Sequence, residues 1–191
     1  HDLIGSPDQF EISSVDVDIT NFSLEIDIHT VFMDYMRDNP TTPVELGDFF
    51  LSNDGWNPNT AGVNYQYDVE GFGGEDWEYV LVFDDHSAPA AGTTSGVINL
   101  FAVDESMIIH PEEIAALDPS AIRHGQEVQY DITGQTQLNT RWWQQGTWEW
   151  INADTPDGSD DYLRLSMNWY WGRNGMVEDM GFHYGMTCAN D

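Results

Sequence analysis

The sequence predicts an all-β protein, an antiparallel β-sandwich or jelly roll, formed as one domain over residues 1–191 with one short helix near 111–117. Three observations predict it. Apolar and polar residues alternate with a period of two in many short stretches, and turn-forming Gly, Asn and Asp separate those stretches. Hydrophobic residues make up 40% of the chain and aromatic residues 13%, enough to build a core in a domain of this length.

The first pair of strands is explicit. Val15, Val17 and Ile19 alternate with Asp16 and Asp18, and Leu24, Ile26 and Ile28 alternate with Glu25, Asp27 and His29. Thr20-Asn21-Phe22-Ser23 lies between them and reads as a hairpin turn. If the apolar faces coincide, Ile19 pairs with Leu24 and Val17 with Ile26, which sets Asp18 opposite Glu25 and Asp16 opposite Asp27. Like charges directly opposite destabilise a strand pair, so this ladder calls for cations or salt. Further strands are expected at Phe49–Ser52, Trp77–Phe83, Val97–Val103, Glu127–Ile132, Trp148–Ile151, Tyr162–Trp171 and Phe182–Thr187. In Tyr162–Trp171 the residues Leu163, Leu165, Met167, Trp169 and Trp171 share one face, with Arg164, Ser166, Asn168 and Tyr170 on the other. The single predicted helix, Pro111–Leu117, has Pro at its first position and acids in its first turn. No internal repeat, linker or second domain is visible.

Charge bounds the function. Thirty-four acidic residues stand against five basic ones, all arginine, for a formal net charge of −29. Such an excess keeps a chain soluble but strains its compact state. High salt relieves the strain, since at ~1 M the screening length falls to ~3 Å. Bound calcium is the other remedy. Nucleic acid and anionic membrane surfaces both require a basic footprint and are excluded as partners. No apolar run approaches the ~20 residues that span a bilayer. The single cysteine, Cys188, leaves no internal disulfide and no cysteine-based zinc site, and reads as a small buried hydrophobe. With His1 leading, the chain reads as a mature or trimmed form.

Five blocks occur in order: Glu11–Val17, Gly47–Trp56, Asp76–Val80, Arg123–Val128 and Gly181–Asp191. Together they resemble the extracellular domains of bacterial exosortase-dependent surface proteins, the PEP-CTERM group, which commonly carry GDLFLSxDGW, WEYV, YRxGQxV and HWTMxCxND blocks. Departures are Tyr184 and Gly185, where the group often has Trp and Thr, and Ile122, where it often has Tyr. The Pro-Glu-Pro motif, hydrophobic segment and basic tail of the group's sorting signal are not among these residues. The resemblance implies a secreted domain at the outer surface of a Gram-negative, often aquatic, bacterium, with surface, matrix or biofilm roles and no general catalytic activity.

Several constellations could carry chemistry. Asp154, Asp157, Asp160 and Asp161 surround Gly158 and supply the hard oxygen ligands that calcium takes, while an acidic hairpin turn is the competing reading. Asp84 and Asp85 follow a strand directly and offer a second calcium candidate or a solvated loop. Asp48, Asn53, Asp54 and Asn57 surround Gly55-Trp56, where backbone bonding in a turn competes with metal ligation. Trp142, Trp143, Trp148 and Trp150, with Trp56, either stack on a glycan or fill a core. Glu78 and Glu149 are the carboxylate pair to test for glycoside hydrolysis, which needs separations of about 5 Å or ~6.5–9.5 Å. His1 could chelate copper with His29, His86, His110, His124 or His183 as second ligand, or be a remnant of processing. No serine nucleophile elbow, phosphate loop or nucleotide fingerprint is present. The leading expectation is a non-catalytic, ion-stabilised surface or matrix protein that self-associates, with fibres as an extension. A carbohydrate-binding module or carbohydrate-active enzyme is the alternative.

Overall fold

The computed structural model describes residues 7–20, 22–53, 55, 76–134, 145–152, 161–168 and 180–189. In chain order they form α1 (Pro7–Phe10), β1 (Ile12–Ile19), β2 (Ser23–Thr30), α2 (Phe32–Asp38), β3 (Leu46–Ser52), β4 (Tyr79–Phe83), β5 (Ser95–Ala102), β6 (Ile108–Ile109), β7 (Gln129–Tyr130), β8 (Gly146–Ile151), β9 (Tyr162–Asn168) and β10 (Gly181–Met186). Eight strands make one antiparallel sheet in the order β1-β2-β9-β8-β5-β4-β3-β10, and β6 and β7 make a separate two-stranded ribbon. The sheet curls, so that its two edge strands line one groove. Among the described residues no helix is long and apolar enough to cross a membrane.

The β1–β2 register is the one the alternation predicts: Ile19 pairs with Leu24, Asp18 with Glu25, Val17 with Ile26 and Asp16 with Asp27. Leu24, Ile26 and Ile28 are buried on the inner face, as are Leu163, Leu165 and Met167 of β9. Each such side chain contributes about 1.5–3 kcal/mol on burial. A like-charge cross-strand pair costs only ~0.2–1 kcal/mol. Apolar burial therefore sets the register, and the opposed acids follow from it.

The helix lies elsewhere than expected. Pro111–Glu113 is a single 3-10 turn, in which the His110 N–H donates to the Glu113 carboxylate at 2.9 Å, and Ile114 leaves it in an extended conformation. So short an apolar segment cannot offset the cost of nucleating a helix. Instead α2 follows β2. Its Phe32, Met33 and Met36 cover the inner face, and Arg37 reaches Asp34 one turn earlier at 2.6 Å. Thr30 Oγ1 accepts the Phe32 N–H at 3.1 Å and donates to the Glu11 carbonyl, which starts the helix. Asn39 closes it by donating its side-chain amide to the Tyr35 carbonyl.

β3 is buried on both faces. Phe49 and Leu51 join the inner core, while Phe50 packs on the outer face with Trp77, Val80, Val82, Phe101, Ile108 and Tyr130 under the ribbon. Gly47 lets the strands close around it, because a Cβ there would run into the Gly185 and Val128 carbonyls.

A buried carboxylate joins these parts. Asp48 is fully enclosed; its Oδ1 accepts the Phe83 N–H at 3.1 Å and meets His86 Nε2 at 2.7 Å, and its Oδ2 accepts the Tyr130 N–H at 2.8 Å. Its own N–H donates to the Val128 carbonyl at 2.7 Å. Burial alone would lower the His86 pKa, but the Asp48 carboxylate, with Glu45 and Asp85 nearby, outweighs it and raises the value above 6.5. A raised folded-state pKa contributes stability that is complete below the unfolded value and is lost as pH rises through the folded one. Unfolding measured against pH is therefore expected to show stability falling above about pH 6.5, with that component absent in His86→Gln. Asp48→Ala, which strands the His86 ring and two backbone donors, is expected to cost about 3–5 kcal/mol in chemical denaturation.

Candidate functional site

The outer face of β1, β2, β9 and β8 carries a polar grid set by the strand registers. One row runs Asp16, Asp27, Arg164, Glu149, Ser95, and the next runs Asp18, Glu25, Ser166, Thr147, Val97. Neighbouring strands are about 4.8 Å apart, so these carboxylates stand within each other's field. Arg164 is the sole lysine or arginine in the grid.

Arg164 clamps Asp27 with two bonds, Nε to Oδ1 at 2.7 Å and Nη2 to Oδ2 at 2.6 Å, and Nη2 lies 3.3 Å from Glu25 Oε1. The Asp27 hydrogen bonds raise the Arg164 pKa against the opposing effect of burial. Its guanidinium also covers the Tyr162 ring at 5.2 Å. His29 Nε2 meets Asp16 Oδ2 at 3.2 Å. Asp18 has no cationic partner among the described residues. Beside it, a shallow groove of about 340 Å³ is lined by the oxygen-bearing Asp18, Glu25, Gln145, Thr147, Ser166 and Asn168 together with the apolar Leu24 and Met167. Its carboxylate, amide and hydroxyl oxygens are ligands of the type that hard cations take.

The residues singled out from sequence separate into distinct fates. Trp148 and Trp150 are core residues, 1% and 6% exposed, so they present no platform to a sugar. The Trp148 indole N–H donates to Asp84 Oδ1 at 3.2 Å, and the Arg37 guanidinium lies 5.1 Å from the Trp150 ring centre. Trp56, Trp142 and Trp143 lie outside the described residues, as do His1, Asp54, Asn57, Asp154, Asp157 and Asp160. Glu149 sits beside Ser95 at one end of β5, whereas Glu78 precedes Tyr79, which pairs with Ala102 at the other end. Seven residues of strand separate the two levels, about 23 Å at ~3.3 Å per residue, too far for a glycosidase pair. Glu78 instead accepts the Asn53 N–H at 2.8 Å.

Asp84 and Asp85 bond to their own surroundings. Asp84 Oδ1 also accepts the Val97 N–H at 3.0 Å, and Asp85 Oδ1 accepts both the N–H and the hydroxyl of Ser87. Asp161 is buried at 2% exposure and lies against Asp34 of α2. Burial raises the Asp34 pKa, and its hydrogen bond to Asp161 raises it further, while Arg37 opposes both. Sequence reading did not anticipate this meeting of two carboxylates, nor the Asp48–His86 pair. The α2 spacing of Phe32, Met33 and Met36 was the available signal for the first; nothing local signals the second. Among the described residues no three His, Cys, Asp or Glu side chains converge on one point.

No family model, curated protein or solved structure matches the chain.

Arg164→Met, which keeps the side-chain bulk over Tyr162, is expected to lower stability by about 1–2 kcal/mol in dilute buffer. Because the released repulsion is screened, the loss should shrink in ~1 M NaCl; an equal loss at both salt concentrations would show that packing, not charge, is what Arg164 supplies.

Proposed function

We propose that this chain is a non-catalytic, extracellular surface or matrix protein of a bacterium, stabilised by cations, as its resemblance to exosortase-dependent surface domains implies. The observation that carries the reading is the exposed outer grid, where Asp16, Asp18, Glu25, Asp27 and Glu149 surround a single arginine. A protein working in dilute, cation-poor solution gains nothing from that arrangement. In seawater-like or calcium-rich surroundings the same face is neutralised and becomes a surface for cation-bridged contact. In this reading the curled sheet and the ribbon packed on its outer face make a sandwich-like body, and calcium acts where carboxylates from separate elements meet. The contact between Asp34 and Asp161 supports that second point.

Melting curves in dilute buffer, in ~1 M NaCl, and in millimolar calcium with and without chelator test the reading. The melting temperature is expected to rise with salt and to rise further with calcium, and the calcium increment should disappear in Asp161→Asn. Calcium at about 100 times its dissociation constant would add about 2.7 kcal/mol. A melting temperature indifferent to salt and calcium alike would overturn the proposal.

A further inference from the structure

We infer that the seam between β1 and β10 accepts an extended strand from a partner protein in which apolar and basic side chains alternate. Among the described residues β1 pairs only with β2 and β10 only with β3, so within that set each is an edge strand. The curl of the sheet brings these two edges to one groove of about 400 Å³, lined by Ile12, Val15, Val17, Phe49, Phe182 and Tyr184 together with His183, whose Nε2 lies 2.8 Å from the Glu127 carbonyl.

Val15 and Val17 show that the groove is an unfilled position. Their register partners Ile28 and Ile26 are fully buried, yet Val15 and Val17, on the same face one strand outward, are 42% and 37% exposed. Their backbone also points the required way. The Thr20 N–H donates to the Ser23 carbonyl at 2.9 Å, so the pairs of matching parity, Asp18–Glu25 and Asp16–Asp27, are the hydrogen-bonded ones. Val15 and Val17 therefore direct N–H and C=O to the free edge. Edge strands are commonly guarded by proline, lysine, inward-pointing charge or a β-bulge; β1 has only a bulge, between Ile12 and Ser14, and the pairing with β2 is regular from Ser14 through Val15 and Val17.

The outer face decides the occupant. A strand added to β1 that sends alternate apolar side chains into the groove places its remaining side chains beside Asp16 and Asp18. Basic residues there are attracted, and acidic ones repelled. A second copy paired through β1 would add further like-charge pairs, each mildly destabilising, where a basic segment gains attraction at the same positions, so the basic segment is the preferred occupant. The occupant is thus another protein's cationic, apolar-alternating segment. The inference rests on the non-catalytic reading only in placing that partner outside the cell. Peptide binding is measured independently of any calcium or salt effect on melting, so the two can fail separately.

The test is titration of the full chain with a short peptide alternating Val and Lys, at about 0.15 M salt where the screening length is about 8 Å. Saturable binding is expected, with slowed hydrogen exchange at the Val15 and Val17 amides. A peptide of the same composition with its lysines in one block, and one alternating Val and Glu, should each bind roughly tenfold more weakly. Methylation of alternate peptide nitrogens should abolish binding, a comparison that leaves the protein unaltered. The double substitution Asp16→Lys and Asp18→Lys should transfer the preference to the Val and Glu peptide. Equal binding of the block peptide, or binding without protection at Val15 and Val17, would overturn the inference. So would a peptide-free chain that is already dimeric with those amides protected, since a second copy would then fill the seam.

Discussion

Burial of the inner apolar row of β2 and β9 is the constraint from which the rest of this molecule follows. Leu24, Ile26 and Ile28 face the core beside Leu163, Leu165 and Met167, and the period of two leaves the intervening residues no choice but the outer face. A shift of one residue in β2 would bury Glu25 and Asp27 in place of Leu24, Ile26 and Ile28. Against that, the repulsion of carboxylates standing opposite each other in water is small. The acidic grid is thus the cost of a well-buried core, moderated by one arginine and by whatever cations the surroundings supply.

The other half of the sheet is organised by a polar contact. Asp48 lies on the outer face of β3, under the ribbon, and its carboxylate meets the end of β4, the end of β7 and the His86 ring. Enclosed charge is tolerated because every contact to it is a donor. Closing β6 and β7 over this face buries Phe50, Val80 and Phe101, which leaves β3 without a solvent-facing side. The strand order makes β10 the edge, and its Phe182 and Tyr184 line one groove with Val15 and Val17 of β1. One core and one buried carboxylate thereby set the two surfaces of interest, an acidic face and an apolar groove beside it.

Legibility followed the range of the interactions. The β1–β2 hairpin was readable to the residue because two strands joined by a short turn carry their register in their own alternation, and the faces of Leu163, Leu165 and Met167 were readable for the same reason. Pro111–Leu117 misled because its start signals are real, as the Glu113 bond to the His110 N–H shows, but capping without a continuing apolar face makes a turn rather than a helix. Phe32–Asp38 escaped notice because its two turns follow a strand without a break, and its helical state depends on the core it covers. Tryptophan content suggested a binding platform; Trp148 and Trp150 instead alternate inward with the rest of β8.

The sequence by itself determined the local and the summed quantities: the alternation, the β class, the opposed acids of the first hairpin, and the net charge of −29. These depend on neighbours in the chain or on composition alone. Tertiary structure alone decided which strands became edges, that Asp48 would meet His86 and Tyr130, that Asp34 would meet Asp161, and that Glu78 and Glu149 would stand a strand's length apart. Those outcomes join residues distant in the chain. They are set by how the curled sheet buries its apolar faces, which no segment encodes alone.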